Sequence, residues 1–165
     1  MNYVVMGVSG CGKSVIGASF AQAIGGVFLD GDDLHPASNV AKMASGIPLT
    51  DVDRAPWLAD VGRAFIGREG HVVIGCSALK RSYRDIIRKM AGDPVTFLHL
   101  HGEKEVIAAR MTSRTGHFMP PSLLDSQFST LELPQSDELA VTVDIDQTPA
   151  AIITKLVARC AKETI

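Results

Sequence analysis

The stretch GVSGCGKS, residues 7–14, follows the β-prone run Tyr3-Val4-Val5-Met6 and precedes Val15 to Ile24, where apolar residues recur at helical spacing. It satisfies G-x-x-x-x-G-K-[ST] in full. Glycines at this density let the backbone curl until successive N–H groups converge on phosphate oxygens. Lys13 can reach the outer phosphates, the Ser14 hydroxyl can ligate Mg²⁺, and the following helix aims its positive N-terminus at the same anion. A strand leads in and a helix leads out, which is the context that separates a phosphate cradle from a glycine-rich turn. Gly7, Val8, Ser9, Gly10, Cys11, Gly12, Lys13 and Ser14 are therefore the candidate nucleotide-binding residues, with Cys11 a small side chain at a variable position.

The same alternation continues along the chain. Further strands are expected at 27–29, 71–76, 95–100 and 140–145, and helices near 38–44, 55–66, 79–90, 103–114 and 150–160. Nearly continuous apolar strands separated by helices predict an α/β fold with a mostly parallel sheet covered on both faces. No linker, repeat or low-complexity tract divides the 165 residues, so 1–165 reads as a single domain.

Composition removes several classes of function. Hydrophobic residues make up 46%, which excludes a disordered chain, and a net charge of −2 gives no general attraction to nucleic acid. The three scattered cysteines have neither metal-ligand nor disulfide-scaffold spacing. With no signal-like N-terminus and no apolar run of membrane-spanning length, the expectation is a cytoplasmic protein without membrane partners.

What receives the phosphate must be read elsewhere. Asp30-Gly31-Asp32-Asp33 closes the second strand, at the carboxyl edge where open α/β sheets gather ligands. Carboxylates there can hold Mg²⁺ or take a proton from an attacking hydroxyl, and Asp32 is the expected base. Asp30 joins Ser14 as a metal candidate, because no acidic residue ends HVVIGC (71–76) to serve as a Walker B aspartate. In GIPLTDVDRAPWL (46–58), Arg54 can clamp a carboxylate or simply pair with Asp51 and Asp53. After the third strand, Ser77 and Lys80 can touch a substrate, whereas Arg81, Arg84 and Arg88 form a stripe expected to be a solvated helix face. Arg110 and Arg114 share a helix face ahead of a loop bracketed by Gly116 and Pro120-Pro121, as arginines delivered by a lid would. His117 in that loop is as readily an ordinary loop residue as a substrate contact.

Four stretches together, MGVSGCGKS, DGDDLHPASNVAKMASGIPLTDVDRAPWL, CSALKRSYRDIIR and RTGHFMPPSLLDSQFSTLE, closely resemble the gluconate kinases, small P-loop kinases related in fold to shikimate and adenylate kinases. The resemblance runs from the N-terminus to about Glu132. It implies a three-layer fold with a five-stranded parallel sheet, a phosphate loop at 7–14, a substrate-binding region at about 32–68 and a lid at about 110–130. It implies ATP and Mg²⁺ as cofactors, and D-gluconate phosphorylated at its 6-hydroxyl. On that model Asp32 contacts the acceptor hydroxyl, Arg54 clamps the substrate carboxylate, and Arg110 and Arg114 are lid arginines, catalytic together with Lys13 and Asp32. For a polyol acid as substrate, Asp32, His35, Arg54 and Lys80 supply suitable side chains, with His117 left open between substrate contact and ordinary loop residue. Residues around Gln147 to Pro149 would line the adenine pocket, and a homodimer is expected because family members are often dimers.

Two other readings compete. A kinase of similar fold could act on another small hydroxyl acceptor, although the His35 to Trp57 region argues against shikimate or a nucleoside monophosphate. A nucleotide sensor without transfer activity would have little use for Lys13, Ser14, Asp32 and the two arginines together. A regulatory GTPase is excluded by the lack of Asn-Lys-x-Asp.

Overall fold

In the computed structural model, which describes residues 1–112 and 121–162, the apolar runs become five strands. They are β1 (Asn2–Met6), β2 (Val27–Asp30), β3 (Val72–Gly75), β4 (Val95–His101) and β5 (Ala140–Asp144). Every pairing is parallel, in the order β2-β3-β1-β4-β5, with Val5 opposite both Gly75 and Leu98. The chain therefore crosses over on one side of β1 and then on the other, which opens a crevice at the carboxyl end of β1 where the phosphate loop sits. The expected α/β architecture and five-stranded parallel sheet are both present.

Alternation along the strands sends side chains into two cores. Tyr3, Val5, Leu98 and Leu100 face α1 (Lys13–Ala23) and α7 (Pro149–Lys162), meeting Phe20, Ile152 and Leu156. Val4, Met6, Ile74 and Phe97 face α3 (Asp51–Arg63) and α4 (Arg81–Ala91), meeting Trp57, Leu58 and Ile87. The central strands are covered on both faces and so read as unbroken apolar runs. A short helix α2 (Ala37–Ala44) and the helices α5 (Lys104–Thr112) and α6 (Pro121–Thr130) frame the carboxyl edge. Among the described residues no helix is long and apolar enough to cross a membrane.

Three sequence expectations change. Helix α3 begins at Asp51 rather than Ala55, because Thr50 and Asp53 form a reciprocal capping box that starts the helix within the aspartate-rich segment. Pro56 lies inside α3, and the carbonyl it cannot serve belongs to Val52, an exposed residue that water reaches. Pro121 opens α6, a helix that the sequence reading did not place, at a first-turn position where its missing N–H costs nothing.

The third change concerns the arginine stripe. Arg84 is fully buried, with Nε and Nη2 donating to Glu138 at 2.7 and 3.1 Å and Nη1 donating to the carbonyls of Ala78 and Leu79 at 2.9 and 3.2 Å. Arg88 lies over the Phe97 ring, 4.7 Å from its centre, and also donates to Glu138. Only Arg81 behaves as a surface residue, forking onto the exposed carboxylate of Asp137. A three-residue repeat of arginines says which face they share but not whether another segment covers it; here the Gln135–Glu138 turn does.

Breaking this pair leaves a buried guanidinium without its counter-charge, which costs about 3–5 kcal/mol. Burial pushes the Glu138 carboxyl up, and hydrogen bonds from Arg84, the Gln135 N–H and Arg88 outweigh it, bringing it to about 2. A depressed carboxyl stabilises above its unfolded value and loses that contribution as pH falls towards its folded one. Urea unfolding should therefore show Glu138→Gln less stable by about that amount at neutral pH. The gap to the native chain should narrow between pH 4.5 and about 2; a gap that stays constant with pH would remove the carboxylate from this role.

Candidate active site

The phosphate loop is built on close approaches. Gly7 has φ +146°, and a Cβ there would fall 2.7 Å from Cys11 Sγ and 2.9 Å from the Leu100 carbonyl, so no side chain fits. Cys11 packs beneath the loop, almost wholly buried. The Gly7 N–H donates to Ser77 O at 3.2 Å, fastening the loop to the turn after β3. Lys13, at the first position of α1, donates from Nζ to the carbonyls of Gly7 and Val8, both at 3.1 Å. The ammonium thus sits at the rim of the ring of amides, where both can face one anion.

Beside the loop lies a cavity of about 280 Å³ whose wall includes Ser9, Lys13, Ser14, Asp30, Asp32, His35, Arg54, Trp57, Ser77 and Gln127. Segments up to 118 positions apart in sequence meet here. A larger hollow of about 660 Å³ lies at the opposite end of the strands, between Met1, Phe65 and Pro94, away from the phosphate loop.

The acidic run after β2 divides its labour by geometry. Asp30 accepts the Asp32 N–H at 3.0 Å and so caps a single 3₁₀ turn, Gly31–Leu34. Asp32 is thereby turned to the cavity. Desolvation, and then repulsion from Asp30, raise its pKa above the usual carboxylate value, which makes it a stronger proton acceptor. Asp33 does not line the cavity. Trp57 reaches across from α3, donating its indole N–H to Gly31 O at 2.8 Å, and its ring stacks on His35 with centroids 4.0 Å apart.

His35 has a defined tautomer. Asn39 Nδ2 donates to the Asp53 carbonyl at 3.0 Å, so the same amino group must also be the donor to His35 Nδ1 at 3.2 Å. Desolvation lowers the His35 pKa, so the neutral ring is favoured and carries its proton on Nε2.

Arg54 answers the question its spacing left open by doing both things in part. It lies 3.8 Å from Asp51 and donates to the Leu49 carbonyl at 2.7 Å through Nη1, while the residue lines the cavity. Asp53 does not hold it, being claimed by Lys42, whose hydrogen bonds at 2.8 and 2.9 Å bring the Asp53 pKa down to about 2. Asp51 instead accepts from Tyr83 and from Lys80, the latter at 3.1 Å. Lys80 is therefore occupied by Asp51 and is not part of the cavity wall.

Arg110 donates to the Ile145 carbonyl at the end of β5, on the side of the sheet away from β2. Gln147, in the turn that follows, donates to Asp144 O at 2.5 Å and accepts from Lys155 at 2.7 Å. Arg114 and His117 lie outside the described residues.

Sequence reading overlooked Asn39, Tyr83 and Gln127 as site residues. The first two look like ordinary helix positions, and nothing in their spacing announces that they orient His35 and Asp51. Gln127 had a weak signal: a polar residue one helical turn after buried Leu124, on the face of α6 that turns inward.

Ser14 and Asp30 are hard oxygen donors on one cavity wall, which suits Mg²⁺. Among the described residues no group of three His, Cys, Asp or Glu could hold a metal. A cation here would rely on two side chains, phosphate and water, the manner in which Mg²⁺ is usually bound. Cys76 is no rival ligand, since burial pushes its thiol pKa up to about 12.

No family model matches the chain. It is 51% identical over 150 residues to the thermosensitive gluconokinase of Escherichia coli (strain K12), an alignment covering 88% of this chain and 79% of the relative. It is 47% identical over 160 residues to the gluconokinase of Gluconobacter oxydans, covering 93% and 88%. Among solved structures, a gluconokinase from Sinorhizobium meliloti 1021 superposes with a TM-score of 0.89 at 50% identity, over 98% of this chain and 91% of that one. The shikimate kinase of Aquifex aeolicus superposes with a TM-score of 0.61 at 12% identity over 99% and 98%, a likeness of fold alone.

The turn that carries Asp32 depends on a backbone contact: a Cβ on Gly31 would fall 2.4 Å from the Gly75 carbonyl. Gly31→Ala should lower the unfolding free energy by about 1–3 kcal/mol, the usual cost of overpacking. A Tm equal to that of the native chain would mean that the turn yields without strain.

Proposed function

The chain belongs to the gluconokinase family and phosphorylates gluconate with ATP, and on that premise we propose which residues perform which step. The acceptor is D-gluconate, phosphorylated at its 6-hydroxyl. The observation that carries this reading is the convergence of Lys13, Asp32, His35 and Arg54 on one cavity beside the phosphate loop. Gluconate is a polyol with an acid at one end and a primary alcohol at the other. A cation at one wall and a proton acceptor at the other match both ends.

Arg54 clamps the substrate carboxylate, with Asp51 and Leu49 O fixing one edge of the guanidinium. His35 offers its Nε2–H to a chain hydroxyl. Asp32 accepts the proton of the 6-hydroxyl as that oxygen bonds to the γ-phosphorus and the bond from phosphorus to the β,γ-bridging oxygen breaks, releasing ADP. Lys13 and the loop amides bear the charge on the phosphate oxygens throughout. Mg²⁺, held by Ser14 and Asp30, would supply further charge neutralisation at the phosphates. Lys80 acts at one remove, by holding the Asp51 that flanks Arg54. Arg110, bound to Ile145 O, is assigned to the nucleotide side.

The experiment is product formation from MgATP with D-gluconate, other aldonates, shikimate, AMP or no acceptor. 6-Phosphogluconate should form in step with ADP, and shikimate and AMP should be inert. Asp32→Asn should lower kcat by about 10²-fold or more with ATP binding intact. It should also abolish the acid limb of the native pH profile, whose midpoint lies above the ordinary 3.8 because Asp32 must be deprotonated to act. Arg54→Ala should raise the KM for gluconate about tenfold to a hundredfold, as expected for lost charge-assisted hydrogen bonds, with little change in the KM for ATP. Equal effects on both substrates would argue against a carboxylate clamp.

A further inference from the structure

One contact in the site is used by none of these steps. The carboxamide of Gln127 grips Ser9 at two points: Oε1 accepts the Ser9 N–H at 2.6 Å, and Nε2 donates to Ser9 Oγ at 2.9 Å. The two residues lie 118 positions apart. Gln127 also lines the acceptor cavity together with Lys13, Asp32 and Arg54.

Helix α6 does not need this grip to stay in place. Leu124 is buried in the core that contains Ile107. Lys104 pairs with Asp125. Past the helix end, the Glu132 N–H donates to Leu79 O at 2.8 Å and its carboxylate accepts the Arg81 N–H at 3.1 Å. With α6 held through Leu124 and Asp125 and past its C-terminal end, the two hydrogen bonds are left to position the phosphate loop against it. On the same side, a Cβ on Gly10 would fall 2.7 Å from Met111 Cγ, so α5 also bears directly on the loop.

The grip has a chemical consequence. The Ser9 N–H is taken by a protein acceptor, so phosphate oxygens are left to the amides that follow, towards the N-terminus of α1. The same carboxamide lines the acceptor cavity, so one side chain joins the phosphate loop to the space for the acceptor. We propose that Gln127 is a positioning residue: by holding Ser9 it sets the phosphate loop against the acceptor cavity, so that the sugar-acid hydroxyl and not water receives the phosphoryl group. This rests on the gluconate reading above.

The test uses the full chain as the native protein, Gln127→Met, Ser9→Ala and the double variant. Gln127→Met keeps the volume and helix propensity and removes both hydrogen bonds. The readouts are the ratio of ADP released to gluconate phosphorylated, the KM for each substrate and the Tm. Gln127→Met should raise the ADP-to-product ratio above one and raise the KM for gluconate, with the KM for ATP little changed and Tm lowered by no more than the loss of two neutral hydrogen bonds allows. Ser9→Ala, which removes one bond, should shift the same quantities the same way by less. The double variant should be no worse than Gln127→Met alone, because the two residues act through one contact. An unchanged ratio in Gln127→Met, additive effects in the double variant, or losses that track Tm would each overturn the proposal. If Gln127→Met does not fold, an unchanged ratio in Ser9→Ala overturns it. If the native chain ignores gluconate and phosphorylates another acceptor, the gluconate reading fails, and the ratio measured with that acceptor still decides the role of Gln127.

Discussion

The acceptor half of the site hangs on the hydrogen bond from the Trp57 indole to the Gly31 carbonyl. Gly31 lies against Gly75 on one side, too close for any side chain, and receives Trp57 on the other. With that one peptide fixed between β3 and α3, Asp30 can cap the turn, Asp32 is presented to the cavity, and His35 is carried onto the Trp57 ring. An aromatic residue suits this position because its body belongs to the core while its single N–H must find an acceptor. Burial of Trp57 and orientation of Asp32 are thus one constraint.

The other wall is held by charge. The turn after β3 contains Ala78 with φ +45°, an unfavourable backbone for a residue with a side chain. Both carbonyls beyond that point, Ala78 O and Leu79 O, accept from the buried Arg84, which is itself neutralised by Glu138. A buried guanidinium with five donors can satisfy a carboxylate and two backbone carbonyls together, which no apolar side chain could do. The strained turn therefore survives because the groups beneath it are over-determined, and Ser77, one residue earlier, is free to take the Gly7 N–H.

The fold was legible because its signals are local. Glycine spacing in 7–14, apolar runs of strand length and the helices between them are fixed by backbone preference and burial, and the structure differs chiefly at helix starts. Asp53 shows why: a carboxylate three residues after Thr50 caps a helix, yet in a run of aspartates beside an arginine it reads equally as an ion-pair partner. The placement of the site was legible where residue type and strand end point to it: Lys13, Asp32 and Arg54 line one cavity. It was illegible where the role is to orient something else. Asn39 matters because His35 needs a donor at Nδ1, and Gln127 because Ser9 has two free groups; neither need exists until the chain has folded.

The three neighbouring aspartates carry this furthest. Asp30, Asp32 and Asp33 have the same side chain and nearly the same position in sequence, yet the fold gives them different surroundings. Asp30 is drawn into the turn by a backbone N–H, and that bond keeps its charge close behind Asp32. Asp33 does not line the cavity and adds the smallest repulsion, while Asp32 meets desolvation and the repulsion of Asp30 together. A carboxylate that loses solvent next to a like charge becomes more basic, so surroundings and not side-chain type set Asp32 apart. Lys13 lowers the same pKa from across the cavity. The Asp32 carboxyl and the Lys13 ammonium thus line one cavity, with the ammonium held against the carbonyls of the phosphate loop.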